Sequence, residues 1–224
     1  MHSLSDTVFV FDLDDTLFSE RQYEVSGITA VWNYLNKFCP KIIDELSLEM
    51  LVRSRTQWVE LILKKESENY IFSRDLLLDI YRNHFPDIEL YNDSAKILSF
   101  LVEKKANLAL ITDGRSTSQR NKLKALNIEQ LFDLIIISEE IGYAKPNHTC
   151  YKLIEERFPL SCFVYIGDNP RKDFIAPNAR GWLTYGLKDR GGNIHSQNVE
   201  FESTEYLPQI WLDSHIDLIP HIVV

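Results

Sequence analysis

The chain has 224 residues, of which 45% are hydrophobic and 25% are charged, and its formal net charge at pH 7 is -9. This composition supplies enough apolar surface for a core without disulfides or structural metals, and the length fits one domain with a large insertion or two small domains. The negative charge argues against binding a nucleic-acid polymer or an anionic membrane, because their phosphate groups would be repelled. A small phosphorylated partner stays compatible, since a divalent cation can reverse the field inside an acidic site.

The cysteines and the N-terminal residues indicate the cellular compartment of the protein. Cys39, Cys150 and Cys162 are odd in number and widely spaced, which favours reduced thiols over a disulfide framework or a zinc module. The N-terminal residues lack the basic segment and apolar stretch of a signal peptide, and no run approaches the ~18 apolar residues of a membrane span. These features predict a cytoplasmic protein.

Short apolar runs predict the buried strands of a sheet. None of the runs alternates between apolar and polar residues, which is typical of parallel strands covered on both faces. In chain order, the predicted strands are 8–11, 108–111, 134–137, 163–166 and 182–185.

Helical patterns lie between these strands. An apolar face predicts a helix over 94–105 with Asp93 or Ser94 as its N-cap, and a modest apolar stripe predicts another over 117–126. A third helix is predicted to open at Pro146, because proline suits the first helical turn. Strands that alternate with helices predict an α/β protein with a doubly wound parallel sheet.

The interval between the first two strands is too long for a single crossover. Its patterns are helical, over 28–38, 48–63 and 75–85. We therefore predict a small all-helical cap at 19–90, inserted into a core that consists of 1–18 and 91–224. The pattern assigns no element to the tail after Gly186.

Polar groups follow each of the first four predicted strands. They are Asp12 and Asp14 after the first, Thr112, Asp113 and Gly114 after the second, Lys145 beyond the third, and Asp168 and then Asp173 after the fourth. In an open parallel sheet, ligands bind outside the carboxyl ends of the strands. We therefore expect these groups to converge on one site, although most of the chain separates the first from the last.

These residue types suit phosphoryl transfer. In the pair Asp12 and Asp14, one carboxylate can act as a nucleophile and its neighbour as an acid and base. Asp168 adds a third acidic group, and such groups repel one another unless a cation lies between them; oxygen ligands suit Mg²⁺. The phosphoryl oxygens would be held by Lys145, the Thr112 hydroxyl and the backbone N–H groups of Asp113 and Gly114.

Four segments together match the motifs of a known family. They are DLDDTL at 12–17, LITDG at 110–114, YAKPN at 143–147 and GDNPRKD at 167–173. In this order they closely resemble the haloacid dehalogenase-like hydrolase superfamily, over nearly the whole predicted sheet domain. The resemblance implies a Rossmann-like sheet with a helical cap inserted after the first strand.

The resemblance also implies a role for each matching residue. Asp12 resembles the nucleophile that forms an aspartyl-phosphate, and Asp14 resembles the general acid/base that protonates the leaving alcohol and then activates water. Thr112 and Lys145 resemble phosphate binders. The implied Mg²⁺ ligands are Asp12, Asp168 and the backbone carbonyl of Asp14. Asp173 resembles an acidic residue that supports the metal shell or orients the lysine.

Asp14 favours a phosphatase, because the dehalogenating members of the superfamily lack an acid at the matching position. The expected substrate is a small phosphorylated metabolite, such as a sugar phosphate or a nucleotide. Two alternatives stay open: a phosphomutase, which shares both aspartates, and a non-catalytic binding or regulatory protein on the same fold. The sequence defines neither the individual substrate nor the oligomeric state, and we assign no site role to cap residues or histidines.

Overall fold

The computed structural model describes residues 4–40, 45–65, 73–198 and 203–222, and within these ranges six parallel strands form one sheet. In chain order the strands are β1 (Thr7–Phe11), β2 (Asn107–Thr112), β3 (Leu134–Ile137), β4 (Cys162–Gly167), β5 (Leu183–Leu187) and β6 (Ile210–Leu212). Their order across the sheet is β3-β2-β1-β4-β5-β6. The predicted α/β class and parallel sheet are confirmed.

The pairing register aligns the strand ends that matter for function. Phe11, the last residue of β1, lies opposite Leu110 of β2 and Ile166 of β4. The three central strands therefore finish close to one edge of the sheet. Residues that follow them are delivered to the same place, as expected for an open parallel sheet.

Helices cover both faces of the sheet, and further helices pack beside it. In chain order, the described helices are α1 (Glu20–Phe38), α2 (Leu48–Ser54), α3 (Trp58–Leu63), α4 (Arg74–Asn83), α5 (Asn92–Glu103), α6 (Ser116–Ala125), α7 (Ser138–Ile141), α8 (His148–Arg157), α9 (Ile175–Ala179) and α10 (Ile219–Ile222). Successive residues of a strand point to opposite faces. Phe9 accordingly joins a hydrophobic cluster with Leu98 of α5, whereas Val10 joins another with Tyr151 of α8.

The helices between β1 and α5 bury their apolar faces mainly against one another. Their hydrophobic cluster contains Ile28, Val31, Leu35, Cys39, Leu46, Leu51, Trp58, Val59, Ile62 and Leu77. Among the described residues, this cluster is distinct from the two that flank the sheet. The division of the chain at 19–90 remains a prediction.

Two predicted helix starts are wrong, and side-chain contacts explain both. The N-cap of α5 is Tyr91 rather than Asp93 or Ser94, and the Asp93 carboxylate instead accepts hydrogen bonds from Arg190. The helix predicted at Pro146 begins two residues later, because the Asn147 side chain caps it by accepting from the Thr149 N–H at 2.8 Å.

Two further predicted elements have different bounds in the structure. The helix predicted over 48–63 is divided into α2 and α3 by a 3₁₀ turn at Arg55–Gln57, where Arg55 has a φ of 49°. The last predicted strand, at 182–185, begins one residue later and ends two residues later in the structure, as β5 (Leu183–Leu187).

The tail after Gly186 completes the sheet, although the sequence pattern assigned no element to it. β6 pairs in parallel with β5, and Gly186 faces Trp211 of β6. A Cβ atom at Gly186 would lie 2.5 Å from Pro208 and 2.7 Å from the Trp211 ring, so a larger residue would push the tail away. No helix in the described part of the chain is both long and apolar enough to cross a membrane.

Asp93 fastens this tail to α5. Its carboxylate accepts two hydrogen bonds of 2.7 Å from the Arg190 guanidinium, and others from Ser214 Oγ at 2.9 Å and the His215 N–H at 2.8 Å. Burial opposes the ionised form of Asp93, but the contacts from His215 and Arg190 outweigh it and hold the pKa of Asp93 well below its usual range. Charge-assisted bonds of this kind are stronger than neutral ones.

We predict that Asp93→Asn lowers the free energy of unfolding by about 1–3 kcal/mol, because the Arg190 cation loses its ionised partner in a partly buried place. Urea denaturation followed by circular dichroism measures the change. Glu156→Gln is the matched control: its pair with Lys152 is exposed, with side-chain exposures of 57% and 66%, so the effect should stay below about 0.5 kcal/mol. Equal stabilities of the two variants would contradict the proposed anchoring of the tail.

Candidate active site

A cavity of about 90 Å³ opens at the carboxyl ends of β1, β2 and β4. It is lined by Asp12, Asp14, Asp15, Glu20, Thr112, Asp113, Lys145, Asp168, Asn169, Lys172 and His195. The structure thus brings together six of the eight residues expected at the site. Asp173 does not line the cavity, but it accepts a hydrogen bond from Lys145, which does. Gly114 is also absent from the lining, and its N–H donates to Ser138 Oγ at 2.9 Å.

Lys145 is a buried cation shared between two carboxylates. Its Nζ donates to Asp12 Oδ1 at 2.5 Å and to Asp173 Oδ1 at 2.7 Å. Burial alone would lower the pKa of Lys145, but Asp12 and Asp173 outweigh that effect and raise it well above its ordinary value. The lysine is therefore a permanent positive charge beside Asp12.

Protein groups occupy both carboxylate oxygens of Asp173. Oδ1 accepts from Lys145 and from the Tyr165 hydroxyl at 3.0 Å, while Oδ2 accepts from the Asn169 N–H at 2.9 Å. A Cβ atom at Gly167 would lie 2.6 Å from Asp173 Oδ2, so the glycine makes room for this carboxylate. Of the two expected roles for Asp173, these contacts favour the orientation of Lys145.

Carboxylates are crowded at the base of the cavity. Asp12, Asp168 and Asp173 each offer an oxygen, and these three atoms lie within 4.8 Å of one another. Burial, with the charges of Asp173 and Asp12, raises the pKa of Asp168 well above its ordinary value. Burial also raises the pKa of Asp12 to about 7 even though Lys145 opposes the change. A divalent cation between Asp12 and Asp168 would relieve this repulsion, so the donor set fits such an ion.

Asp14 is held by two residues of α6 that the sequence analysis missed. Lys122 Nζ donates to its Oδ1 at 2.6 Å, and Gln119 Nε2 donates to its Oδ2 at 2.8 Å. Gln119 also contacts Thr112 Oγ1 and the Asp113 carbonyl, which links the first two motifs. The two side chains are three residues apart and so share one helix face, but a polar pair at this spacing is also typical of a solvated surface.

The tail supplies further missed residues to the site. Asn193 Nδ2 donates to Asp168 Oδ2 at 2.8 Å, and Gln197 Nε2 donates to the Asp168 carbonyl at 2.8 Å. The N–H of Ile194 donates to Asp15 Oδ2 at 2.7 Å. His195, one of the histidines to which the sequence assigned no site role, is exposed and also lines the cavity. No sequence motif marks these loop residues, because only the fold carries the tail back to the strand ends.

Comparison with known proteins identifies the family. The sequence model of the haloacid dehalogenase-like hydrolases matches residues 9–185, which include all four motifs and the cavity residues up to Lys172. The chain therefore belongs to this family, and the resemblance noted in the sequence is confirmed.

Individual relatives indicate which members of the family the chain is similar to. The chain is 28% identical to glyceraldehyde 3-phosphate phosphatase of Methanocaldococcus jannaschii over 88% of its own length and 89% of the relative. It is 29% identical to phosphoserine phosphatase of Thermus thermophilus over 48% of its length and 44% of the relative. The magnesium-bound crystal structure of the HAD hydrolase YfnB from Bacillus subtilis superposes with a TM-score of 0.68 at 20% identity, covering 97% and 99% of the two chains. The chain is thus a phosphatase-type member of the family.

The crowding predicts that Asp168→Asn raises the free energy of unfolding in buffer with chelator at pH 7, by about 1 kcal/mol or more. The asparagine avoids the cost of ionising a buried carboxylate whose pKa is raised in the folded state. The advantage over wild type should shrink as pH falls towards the ordinary aspartate pKa, because Asp168 of the unfolded chain then also takes up a proton. Chemical denaturation at several pH values measures this trend.

Asp213→Asn serves as the control, because the Asp213 side chain is 79% exposed and carries no such cost. A metal-free Asp168→Asn protein that is less stable than wild type at pH 7 would refute the crowding argument.

Proposed function

We propose that this protein is a magnesium-dependent phosphohydrolase that cleaves a small phosphomonoester through an aspartyl-phosphate on Asp12. The observation that carries the proposal is the position of the Asp12 carboxylate. It lies at the end of the central strand, 2.5 Å from the Lys145 ammonium, and lines the same cavity as Asp14 and Asp168. A cavity of about 90 Å³ has room for a group of phosphate size, so the rest of a substrate would extend outwards.

In the first half of the proposed reaction, an Asp12 oxygen attacks phosphorus and the bond to the leaving oxygen breaks. Asp14 gives its proton to that oxygen, so the substrate leaves as a neutral alcohol. Lys145 and the Thr112 hydroxyl bind the phosphoryl oxygens as negative charge develops on them. Asp173 and Tyr165 keep the Lys145 ammonium in place.

In the second half, Asp14 takes a proton from a water molecule, which attacks the phosphorus of the aspartyl-phosphate. The bond between Asp12 and phosphorus breaks, and inorganic phosphate and the free Asp12 carboxylate are produced. Asp14 ends the cycle protonated, ready for the next ester.

Asp12, Asp168 and the backbone carbonyl of Asp14 are the proposed holders of Mg²⁺. When bound, the cation would neutralise the crowded carboxylates and the phosphate charge. The spacing of Asp12 and Asp168 and the raised pKa of Asp168 support this assignment.

The relatives named above support a small phosphorylated metabolite as the substrate. We further propose that 19–90 acts as a cap over the cavity, since Glu20, the first residue of α1, contributes to its lining. We place the protein in the cytoplasm, a compartment that suits its three free cysteines.

We predict that Asp12→Asn lowers kcat on 4-nitrophenyl phosphate with Mg²⁺ by about 10³-fold or more, because an amide is a very poor nucleophile. The assay is release of 4-nitrophenol, with Asp213→Asn as a surface control of unchanged activity. Turnover by Asp12→Asn at the wild-type rate would rule out the covalent route. Phosphate that migrates between positions of a sugar phosphate, without release as inorganic phosphate, would instead indicate a phosphomutase.

Mg²⁺ should raise the melting temperature of the wild type, by mass action on the folded state. At 100 times its Kd, the ion stabilises the protein by about 2.7 kcal/mol. Asp168→Asn should lose most of this rise and Asp213→Asn should keep it, as measured by calorimetry with and without chelator. Equal Mg²⁺ responses in all three proteins would remove Asp168 from the metal site.

A further inference from the structure

A second buried lysine lies beside the candidate site, and the proposed chemistry leaves it without a role. Lys122 on α6 is 4% exposed, and its Nζ is 2.6 Å from Asp14 Oδ1. Lysine is almost never buried without a partner, because its ammonium loses hydration. Lys122 is absent from the described residues that line the cavity, so its charge acts on Asp14 and not on a bound phosphate.

The surroundings of Lys122 direct its ammonium towards Asp14. The Tyr23 ring of α1 covers it, with Nζ 4.2 Å from the ring centroid, and the Phe18 ring lies 5.9 Å away. Aromatic faces attract a cation, so these two rings stabilise the ammonium beside the carboxylate. Because Lys122 is buried and contacts both Asp14 and the Tyr23 ring, its side chain has little freedom to move.

Stability alone gives a weak reason for a charge in this position. Replacing a buried ion pair by apolar residues of similar volume is often neutral or stabilising. A carboxyl group that donates a proton to a leaving group has a stricter requirement for position. It has to lie within hydrogen-bond reach of the oxygen that it protonates. A displacement of 1 Å in such a site can cost about 10²-fold in rate.

We infer that Lys122 is a positioning residue that fixes the Asp14 carboxylate for proton transfer to the leaving oxygen. Gln119, one turn earlier on α6, holds the other oxygen of Asp14 at 2.8 Å. Together the two residues fix the rotation of the carboxylate about its own axis, which a single contact would leave free. This inference rests on the proposed function, in which Asp14 is the acid and base.

The test compares two esters of similar shape whose leaving groups differ in their need for a proton. Phenoxide leaves poorly unless it is protonated, whereas 4-nitrophenoxide leaves readily as an anion. With Mg²⁺ present, Lys122→Met should lower kcat/KM on phenyl phosphate about 100-fold, but on 4-nitrophenyl phosphate less than about 10-fold. The ratio kcat/KM is compared because it reports the steps up to departure of the leaving group, and not the later hydrolysis of the aspartyl-phosphate, in which Asp14 also acts. Lys122→Arg, which restores a cation, should recover part of the loss.

Lys124→Met is the matched control, because Lys124 is on the same helix and exposed; it should behave as wild type on both esters. Activity of Lys122→Met on 4-nitrophenyl phosphate reports that the variant is folded. Should that variant fail to fold, Lys122→Gln keeps a polar group in its place and should show the same dependence on the leaving group.

Two results separate failure of this inference from failure of the proposed function. Equal losses on both esters, or a loss confined to KM, would overturn the positioning role while leaving the phosphohydrolase intact. A wild type inactive on both esters would overturn the proposed function, and the role of Lys122 with it.

Discussion

The site depends on an excess of carboxylates over ammonium groups, which the fold buries at the carboxyl ends of the central strands. Asp12, Asp168 and Asp173 each offer an oxygen within 4.8 Å of the others, and the buried ammonium of Lys145 contacts Asp12 and Asp173. Asp168 has the amide of Asn193 at 2.8 Å and the hydroxyl of Thr16 at 3.5 Å, both neutral donors. Burial, together with the charges of Asp173 and Asp12, disfavours ionisation of Asp168 and raises its pKa. This crowded set of carboxylate oxygens fits a divalent cation.

The sheet can sustain this repulsion because it holds the backbone of the site rigidly. β1 lies between β2 and β4 and is hydrogen-bonded to both along its length. The ladder continues one residue beyond β1, where the Asp12 N–H donates to the Ile166 carbonyl at 2.9 Å. After β1 the chain continues to β2 on one side of this strand, and β4 lies on the other side. This change of direction is the topological switch point at which open α/β sheets bind ligands.

Local sequence patterns were sufficient for the parts of the structure that depend on local interactions. The apolar runs predicted β1 to β4 because these strands are mostly buried, and the motifs at their ends predicted which groups would meet. Longer-range contacts decided the rest. The pattern missed β6 because it spans only three residues, two of them partly exposed, and is held by pairing with β5. It misplaced the start of α5 because the carboxylate that resembled a cap is bound by Arg190, 97 residues away.

The same distinction explains why the sequence pattern did not identify the two residues that hold Asp14. Gln119 and Lys122 are polar residues on a helix with a weak apolar stripe, a pattern typical of a solvated surface. They are buried because α1 and α4 cover that face: Ser118 donates to the Arg82 carbonyl at 2.9 Å, and Asn121 donates to the His84 carbonyl at 3.1 Å. The helix that positions Asp14 is therefore also the one against which α1 and α4 pack. Movement of these two helices away from α6 would break these bonds and uncover Lys122, so the placement of Asp14 depends on these contacts.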